Sequence, residues 1–240
     1  MRLCRHVITS DTGLAPNPFH GYCTSALCTP SHMNTKLKKG DWLIGHSPKN
    51  DRNRLVYAMR ISEVLRMNQY FQDDRFERKK PKPNGTLIEQ CGDNIYYKYG
   101  ADQWKRLPSR FHNDCNNFIQ DVSKNFAGHP VFVAEHFYYF GCRRVAIPPE
   151  LKRVIWDRQG IHYTKDHRLA DEFVTWLKTN HKPGILGTPR DMADHADETA
   201  AMLTDWIADC TRRAKNQDRP GCQPESQSSS ETSYRGRGCR

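Results

Sequence analysis

The residues best suited to chemistry fall in three groups. Asp11, Asn17 and Phe19 lie within nine residues, with Tyr22 just beyond. An Asn side chain offers a donor and an acceptor together and a carboxylate offers acceptors, so this set can meet the edge of a nucleobase while Phe19 or Tyr22 stacks on its face. Such stacking contributes about 1–3 kcal/mol per base, comparable with several neutral hydrogen bonds. Gly92-Asp93-Asn94-Ile95-Tyr96-Tyr97 offers the same mixture of carboxylate, amide and aromatic. A basic run, Arg75, Arg78, Lys79, Lys80 and Lys82, is interleaved with Phe76 and precedes it. Arginine and lysine neutralise phosphate oxygens and release counterions, which makes Arg54, Arg75, Lys79 and Lys80 candidate contacts to a nucleic-acid backbone. Asp41, after Gly40, completes the candidate base-binding set of Asp11, Asn17, Phe19, Tyr22, Asp41, Asp93, Asn94 and Tyr96. Plainer roles stay open beside these: Asn17 before Pro18 as the cap of a turn, Phe19 as a core plug, Asp41 as the anchor of a Gly-Asp turn, and the basic run as a solvated loop.

The chain contains no Gly-rich phosphate loop, no nucleophile elbow, no His-Glu-x-x-His helix and no deaminase pairing of His-x-Glu with Cys-x-x-Cys. Asp11, Asp41 and Asp93 could move protons only if the fold brought them into one pocket. Cys23 and Cys28, near His20 and His32, have no second ligand pair at zinc spacing, and His162 and His167 are off the four-residue step that aligns helical ligands. No metal and no cofactor are therefore expected.

Positioning these groups requires a mostly β core. Leu55, Tyr57, Met59 and Ile61 alternate with Val56, Ala58, Arg60 and Ser62, the two-residue period of a strand with one well-buried face. Leu3 to Thr9, Trp42 to His46, Val131 to Ala134 and Phe137 to Phe140 are further short strands bounded by turn residues. A helix follows Asp166 as its cap, with Leu169, Phe173, Trp176 and Leu177 on one stripe, and ends before Asn180. A second is expected from Thr188 and Pro189 to about Arg213, where Met192, Ala196, Ala200, Leu203, Trp206 and Ile207 recur every three or four residues. Met67 to Phe71 and Pro149 to Trp156 are short helical turns. Two long segments, Asp11 to Asn34 and Arg75 to Tyr99, are rich in aromatics, Asn and Asp, which suits ordered functional loops.

The chain has 240 residues, 37% of them hydrophobic, which is enough for a core, and its mean hydropathy is −0.84. No apolar run approaches the roughly twenty residues of a membrane helix, and Met1 to Ile8 lacks a signal-peptide core. A cytoplasmic location is expected, with the nine scattered cysteines reduced. The formal net charge of +10 favours a polyanionic partner. Residues 1–213 read as one domain with C-terminal packing helices, and 214–240, almost without aliphatic residues, as a disordered basic and Ser-rich tail. Within it Arg235-Gly236-Arg237-Gly238 is either an RNA-type adhesive or plain solvated chain.

Two resemblances add to this reading. Gly40-Asp41-Trp42-Leu43-Ile44-Gly45, followed by Leu55-Val56-Tyr57-Ala58-Met59-Arg60-Ile61-Ser62-Glu63-Val64, resembles the core of the PUA-like superfamily that includes EVE, ASCH and YTH modules, although any β-hairpin with a Gly-Asp turn shares this pattern. A fuller set comprises Asp11-Thr12-Gly13-Leu14-Ala15-Pro16-Asn17-Pro18-Phe19, Gly21-Tyr22-Cys23-Thr24, Gly40-Asp41-Trp42 and Arg54-Leu55-Val56-Tyr57-Ala58-Met59. It continues through Asp74-Arg75-Phe76, Lys79-Lys80-Pro81, Gly92-Asp93-Asn94-Ile95-Tyr96 and Phe137-Tyr138-Tyr139-Phe140-Gly141. Together these look like the nucleotide modification associated domain family, type 2. The resemblance implies an α+β fold with a small β-barrel-like, PUA/EVE-like core and peripheral helices. It also implies partners among DNA or nucleotides with modified bases and base-modification enzymes, without implying a particular reaction. The function expected is recognition of modified nucleobases. The alternatives are an enzyme of base or nucleotide hypermodification using the same pocket, and an interaction module independent of nucleic acid.

Overall fold

The computed structural model describes residues 1–26, 35–99, 103–110, 129–156, 158 and 160–195. Its strands are β1 (Leu3–Val7), β2 (Cys23–Ser25), β3 (Trp42–His46), β4 (Leu55–Arg60), β5 (Glu63–Arg66), β6 (Tyr96–Tyr99), β7 (Gln103–Arg106), β8 (Pro130–Ala134), β9 (His136–Tyr139), β10 (His162–Tyr163) and β11 (Gly184–Ile185). The helices are α1 (Met67–Gln72), α2 (Leu87–Gln90) and α3 (His167–Asn180), with short 3₁₀ segments including Asp74–Lys79, Pro149–Val154 and Arg190–His195.

A six-stranded sheet in the order β10-β1-β3-β4-β9-β11 forms the centre, beside a three-stranded sheet β2-β8-β5 and the hairpin β6-β7. One ribbon joins the first two sheets. Tyr57 to Arg60 pairs with Tyr139 to His136, and after a bend Glu63 to Arg66 pairs with Val133 to Pro130 in the same register. The bend is held by Ser62, whose N–H donates to the Val133 carbonyl at 2.8 Å and whose hydroxyl bonds the same oxygen at 3.0 Å. The strand expected to run unbroken from Leu55 to Ser62 therefore turns at Ile61–Ser62 into the second sheet.

The central sheet is buried on both faces, where the alternation had suggested one. Leu3, Trp42, Ile44, Tyr138 and Phe140 face α3 through Leu169, Phe173 and Leu177. Cys4, Leu43, Tyr57, Phe137 and Tyr139 face Cys23, Phe132 and Ala134 of the second sheet. The expected barrel-like core is corrected: the six-stranded sheet runs open, and none of the three sheets closes among the described residues. Its edge strands β10 and β11, two residues each, do not pair with each other.

Helix α3 starts where Asp166 accepts the Leu169 N–H at 3.0 Å and buries Leu169, Phe173 and Leu177 of the stripe read from its sequence, with Trp176 half-buried at its margin. Of the helix expected from Thr188, Arg190–His195 forms a 3₁₀ segment; the remainder, and the tail, lie outside the described residues. Cys4, Cys23 and Cys91 are buried free thiols, and burial pushes Cys4 and Cys23 up to about 12. Cys142 is disulfide-bonded, contrary to the expectation of reduced thiols throughout. No helix of the described residues is long and apolar enough to cross a membrane.

Two glycines have direct steric reasons. Gly40 has φ +90°, which lets the chain reverse before Asp41. Gly92 lies on the backbone of Lys79 and Pro81, where an added Cβ would stand 2.2 Å from the Lys79 carbonyl oxygen. Gly92→Ala is expected to cost about 2 kcal/mol or more, measured as a fall in the urea unfolding midpoint.

Candidate functional site

The two long segments singled out in the sequence meet at Lys79. Asp73 accepts the Arg75 N–H at 3.0 Å and starts the 3₁₀ turn Asp74–Lys79. Three residues per turn put positions i and i+3 on one side, so Phe76 and Lys79 both point inward while Arg75 and Arg78 stay outside. Lys79 was expected on a basic surface and is instead 1% exposed. Its Nζ donates to Asn17 Oδ1 at 2.8 Å, the Asn17 carbonyl at 3.0 Å and the Tyr22 carbonyl at 2.9 Å. That uses all three ammonium protons.

Asn17 is pinned on its other sides as well. Its backbone pairs with Thr24 at 2.8 and 2.9 Å, its Nδ2 donates to the Cys91 carbonyl at 2.9 Å, and its Oδ1 accepts the Phe19 N–H at 3.2 Å. Asp93 accepts from the Thr24 hydroxyl at 2.7 Å and the Tyr70 hydroxyl at 2.6 Å. Asn94 donates through Nδ2 to the Tyr70 and Phe76 carbonyls at 3.1 and 3.2 Å, while its buried Oδ1 has no partner among the described residues. Burial pushes the Lys79 ammonium down to about 8 and the Asp93 carboxyl up, and each charge draws the other back toward ionisation. Tyr70, pushed well above 10 by burial and the neighbouring carboxylate, stays a donor.

The structure thus brings Asn17, Tyr22, Lys79, Asp93, Asn94 and Tyr96 into one neighbourhood. Tyr22 rests edge-on against Phe76, with centroids 5.2 Å apart, and Tyr96 is buried with Met67, Tyr70 and Phe76. The other candidates lie elsewhere. Phe19 plugs a small core with Leu87, Cys91 and Met192. Asp11 accepts from the Tyr139 hydroxyl and from the Arg190 N–H at 3.2 Å, with its carboxyl raised by burial. Asp41 receives the Arg2 N–H at 2.8 Å, the Arg2 guanidinium at 2.7 Å and the Lys38 N–H at 3.1 Å, which anchors the Gly-Asp turn and the start of β1. Arg54 pairs with Asp51, Arg75 with Glu63 and Asp73, and Lys80 with Glu77.

Outside the buried layer, the hairpin and α1 carry rings and cations in alternation. Phe71 stacks on Tyr97 with centroids 4.7 Å apart, and Lys80 Nζ lies 4.2 Å from the Phe71 ring centroid. Lys105 Nζ is 3.7 Å from the centroid of Tyr99, which is 57% exposed, and Lys98 lies 5.9 Å over Trp104. Arg66, Asn68, Gln69, Lys98 and Trp104 line a shallow cleft of about 280 Å³ beside α1. Tyr99, Trp104, Lys98 and Lys105 were absent from the sequence-derived set. The available signal was the interleaving of Tyr and Trp with Lys and Arg on both sides of Gly100-Ala101-Asp102 in the sequence. No group of three or more His, Cys, Asp or Glu among the described residues is arranged to hold a metal ion, and Cys28 and His32 lie outside them.

A family model described as nucleotide modification associated domain 2 matches residues 1–198. The chain belongs to this family. No curated protein and no solved structure matches it. As a nucleotide modification associated domain, it is associated with nucleotide modification systems. The matched residues include both segments that meet at Lys79 and the hairpin beyond them.

Two outcomes follow from this layer. Lys79→Met takes one donor from each of three oxygens and removes the cation beside the buried Asp93 carboxylate, and is expected to cost about 3 kcal/mol in chemical unfolding. His20, at φ 60°, is pushed down to about 4 by burial and by Arg78, Lys79 and Lys82. An unfolded chain binds this proton near pH 6.5, so stability is lost as pH falls from about 6.5 towards 4. His20→Asn, which tolerates positive φ, should show a flatter loss over that window in pH-dependent thermal melts.

Proposed function

We propose that the domain binds single-stranded or locally opened nucleic acid within a nucleotide modification system and reads modified bases there. The observation that carries this reading is the alternation of Lys80, Phe71 and Tyr97, of Lys105 and Tyr99, and of Lys98 and Trp104 across α1 and the β6-β7 hairpin. Tyr99 is exposed and Phe71, Tyr97 and Trp104 are half-buried; bases stack on accessible ring faces whatever their sequence, and adjacent lysines neutralise the phosphates between them. In this reading Asn17, Asp93, Asn94 and Tyr96 form the frame behind the binding surface, and base selectivity arises beside the cleft at Asn68, Gln69 and Trp104. The net charge of +10 supports the same partner.

One observation favours a second reading, an enzyme of base or nucleotide hypermodification. Lys79 is held at about 8 next to Asp93, whose carboxyl is raised, and groups tuned toward neutrality suit proton transfer. Its polar atoms are nevertheless all engaged by protein, so the binding reading is preferred.

The test is titration of the full chain with matched oligonucleotides bearing unmodified and hypermodified bases at two salt concentrations, followed by mass analysis of the recovered nucleosides. Tyr99→Ala and Trp104→Ala are each expected to weaken binding about tenfold. Lys105→Ala should reduce the salt slope by about 0.7. Preference for modified DNA with unchanged mass supports the proposal, altered mass establishes the enzyme, and affinity indifferent to all three substitutions overturns the placement of the surface.

A further inference from the structure

Among the described residues three arginines are buried, Arg5, Arg54 and Arg144. Two of them share the carboxylate of Asp51. Arg5 has no such partner. It is 7% exposed in the middle of β1, flanked by Ile44 of β3 and His162 of β10, and makes no ion pair among the described residues. One of its guanidinium nitrogens, Nη1, donates to Thr164 Oγ1 at 2.5 Å, while Nε is buried without a partner. Burial lowers its pKa, opposed only by the neighbouring Cys4, and no carboxylate among the described residues pairs with it.

The surroundings add donors and positive charge. The Arg5 guanidinium lies 5.3 Å from the Trp156 ring centroid, and Arg158, which is exposed, lies 5.9 Å from the same centroid. His162 packs 4.4 Å from that ring. The indole Nε1 of Trp156 is a second buried donor without a partner. His46 accepts the Trp156 backbone N–H at 3.3 Å, which ties the aromatic to the end of β3. Trp156 and His162 are only half-buried, so this cluster extends from the buried guanidinium to the surface.

A buried guanidinium with no anion is costly, and two unsatisfied buried donors beside a second arginine add to that cost. A tetrahedral oxyanion supplies what is missing: negative charge and several acceptor oxygens for arginine and for neutral N–H and O–H donors. We propose that Arg5, Arg158, Trp156 and Thr164 form a binding site for a phosphate-type oxyanion, carried by a nucleotide, a nucleic-acid backbone or free phosphate. This site lies on the central sheet and does not depend on the hairpin reading.

The test follows the Trp156 indole N–H resonance of the ¹⁵N-labelled full chain, assigned with Trp156→Phe, through separate additions of inorganic phosphate, a nucleoside 5′-monophosphate, the corresponding nucleoside and a short oligonucleotide. Saturable shifts with inorganic phosphate and the monophosphate, and none with the nucleoside, are expected. Tighter binding of the monophosphate or the oligonucleotide than of inorganic phosphate identifies the source. Arg158→Ala, at an exposed position, should weaken phosphate binding about threefold, and Arg5→Met should abolish it. If Arg5→Met does not fold, Arg158→Ala decides. Absence of a saturable shift up to about 10 mM anion, or an affinity unchanged in Arg158→Ala, overturns the proposal. Since the phosphate arm uses no DNA and leaves the hairpin intact, its failure is distinguishable from failure of the hairpin surface.

Discussion

Taking an ammonium group out of water costs several kcal/mol even after the protein relaxes, and this fold does so at Lys79. The cost is offset only because three carbonyl oxygens from the first long segment converge on Nζ and the Asp93 carboxylate lies nearby. Each requirement of that ammonium fixes another part of the chain. Asn17 must present both its oxygens, which sets the path from Asn17 to Tyr22. The 3₁₀ turn must aim Lys79 inward, which sets the path into Gly92-Asp93-Asn94. Gly92 must lack a side chain so that this segment can lie against the Lys79 backbone.

The buried layer has a consequence for the outer surface. Asp93 holds the Tyr70 hydroxyl and Asn94 holds the Tyr70 carbonyl, so α1 is clamped to the start of β6. Phe71 follows Tyr70 and stacks on Tyr97, which places the outward rings and lysines of the hairpin relative to α1. In the proposed binding reading, a strip of aromatics held this way would lose little freedom when a base stacks on it, the physical advantage of a rigid frame. The bent ribbon from Tyr57 to Arg66 does comparable work for the core, because it carries one register from the central sheet into the second and lets both faces of the first be covered.

Charge is treated differently in different parts of the molecule. Asp41, Asp51 and Asp191 each take arginine partners in the interior or at its margin. Asp41 with Arg2 and Asp51 with Arg144 tie segments distant in sequence, while Asp51–Arg54 and Asp191–Arg190 are local pairs that fix one stretch of chain. Arg5 departs from that pattern, and its environment of indole, imidazole and a second guanidinium is suited to an anion from outside the chain.

Where local chemistry suffices, the sequence alone determined the outcome. Asp166 and the apolar stripe behind it specify α3, because an N-cap and a 3.6-residue period are properties of neighbours in the chain. Trp42 to His46 forms a strand with the expected bounds, and several ordered matches along the chain were enough to indicate the family. Tertiary structure decided the rest. Whether Leu55 to Arg60 is covered on one face or two depends on where α3 and the second sheet pack, and whether strands close a barrel depends on whether the first and last strands of a sheet come to pair. Lys79 reads as one more member of a basic run, since a 3₁₀ turn and a helix differ by a fraction of a residue per turn and nothing local says which side faces the core. Its partners at Asn17 and Tyr22 lie about sixty positions away, and only the packed chain brings them within reach of one ammonium group.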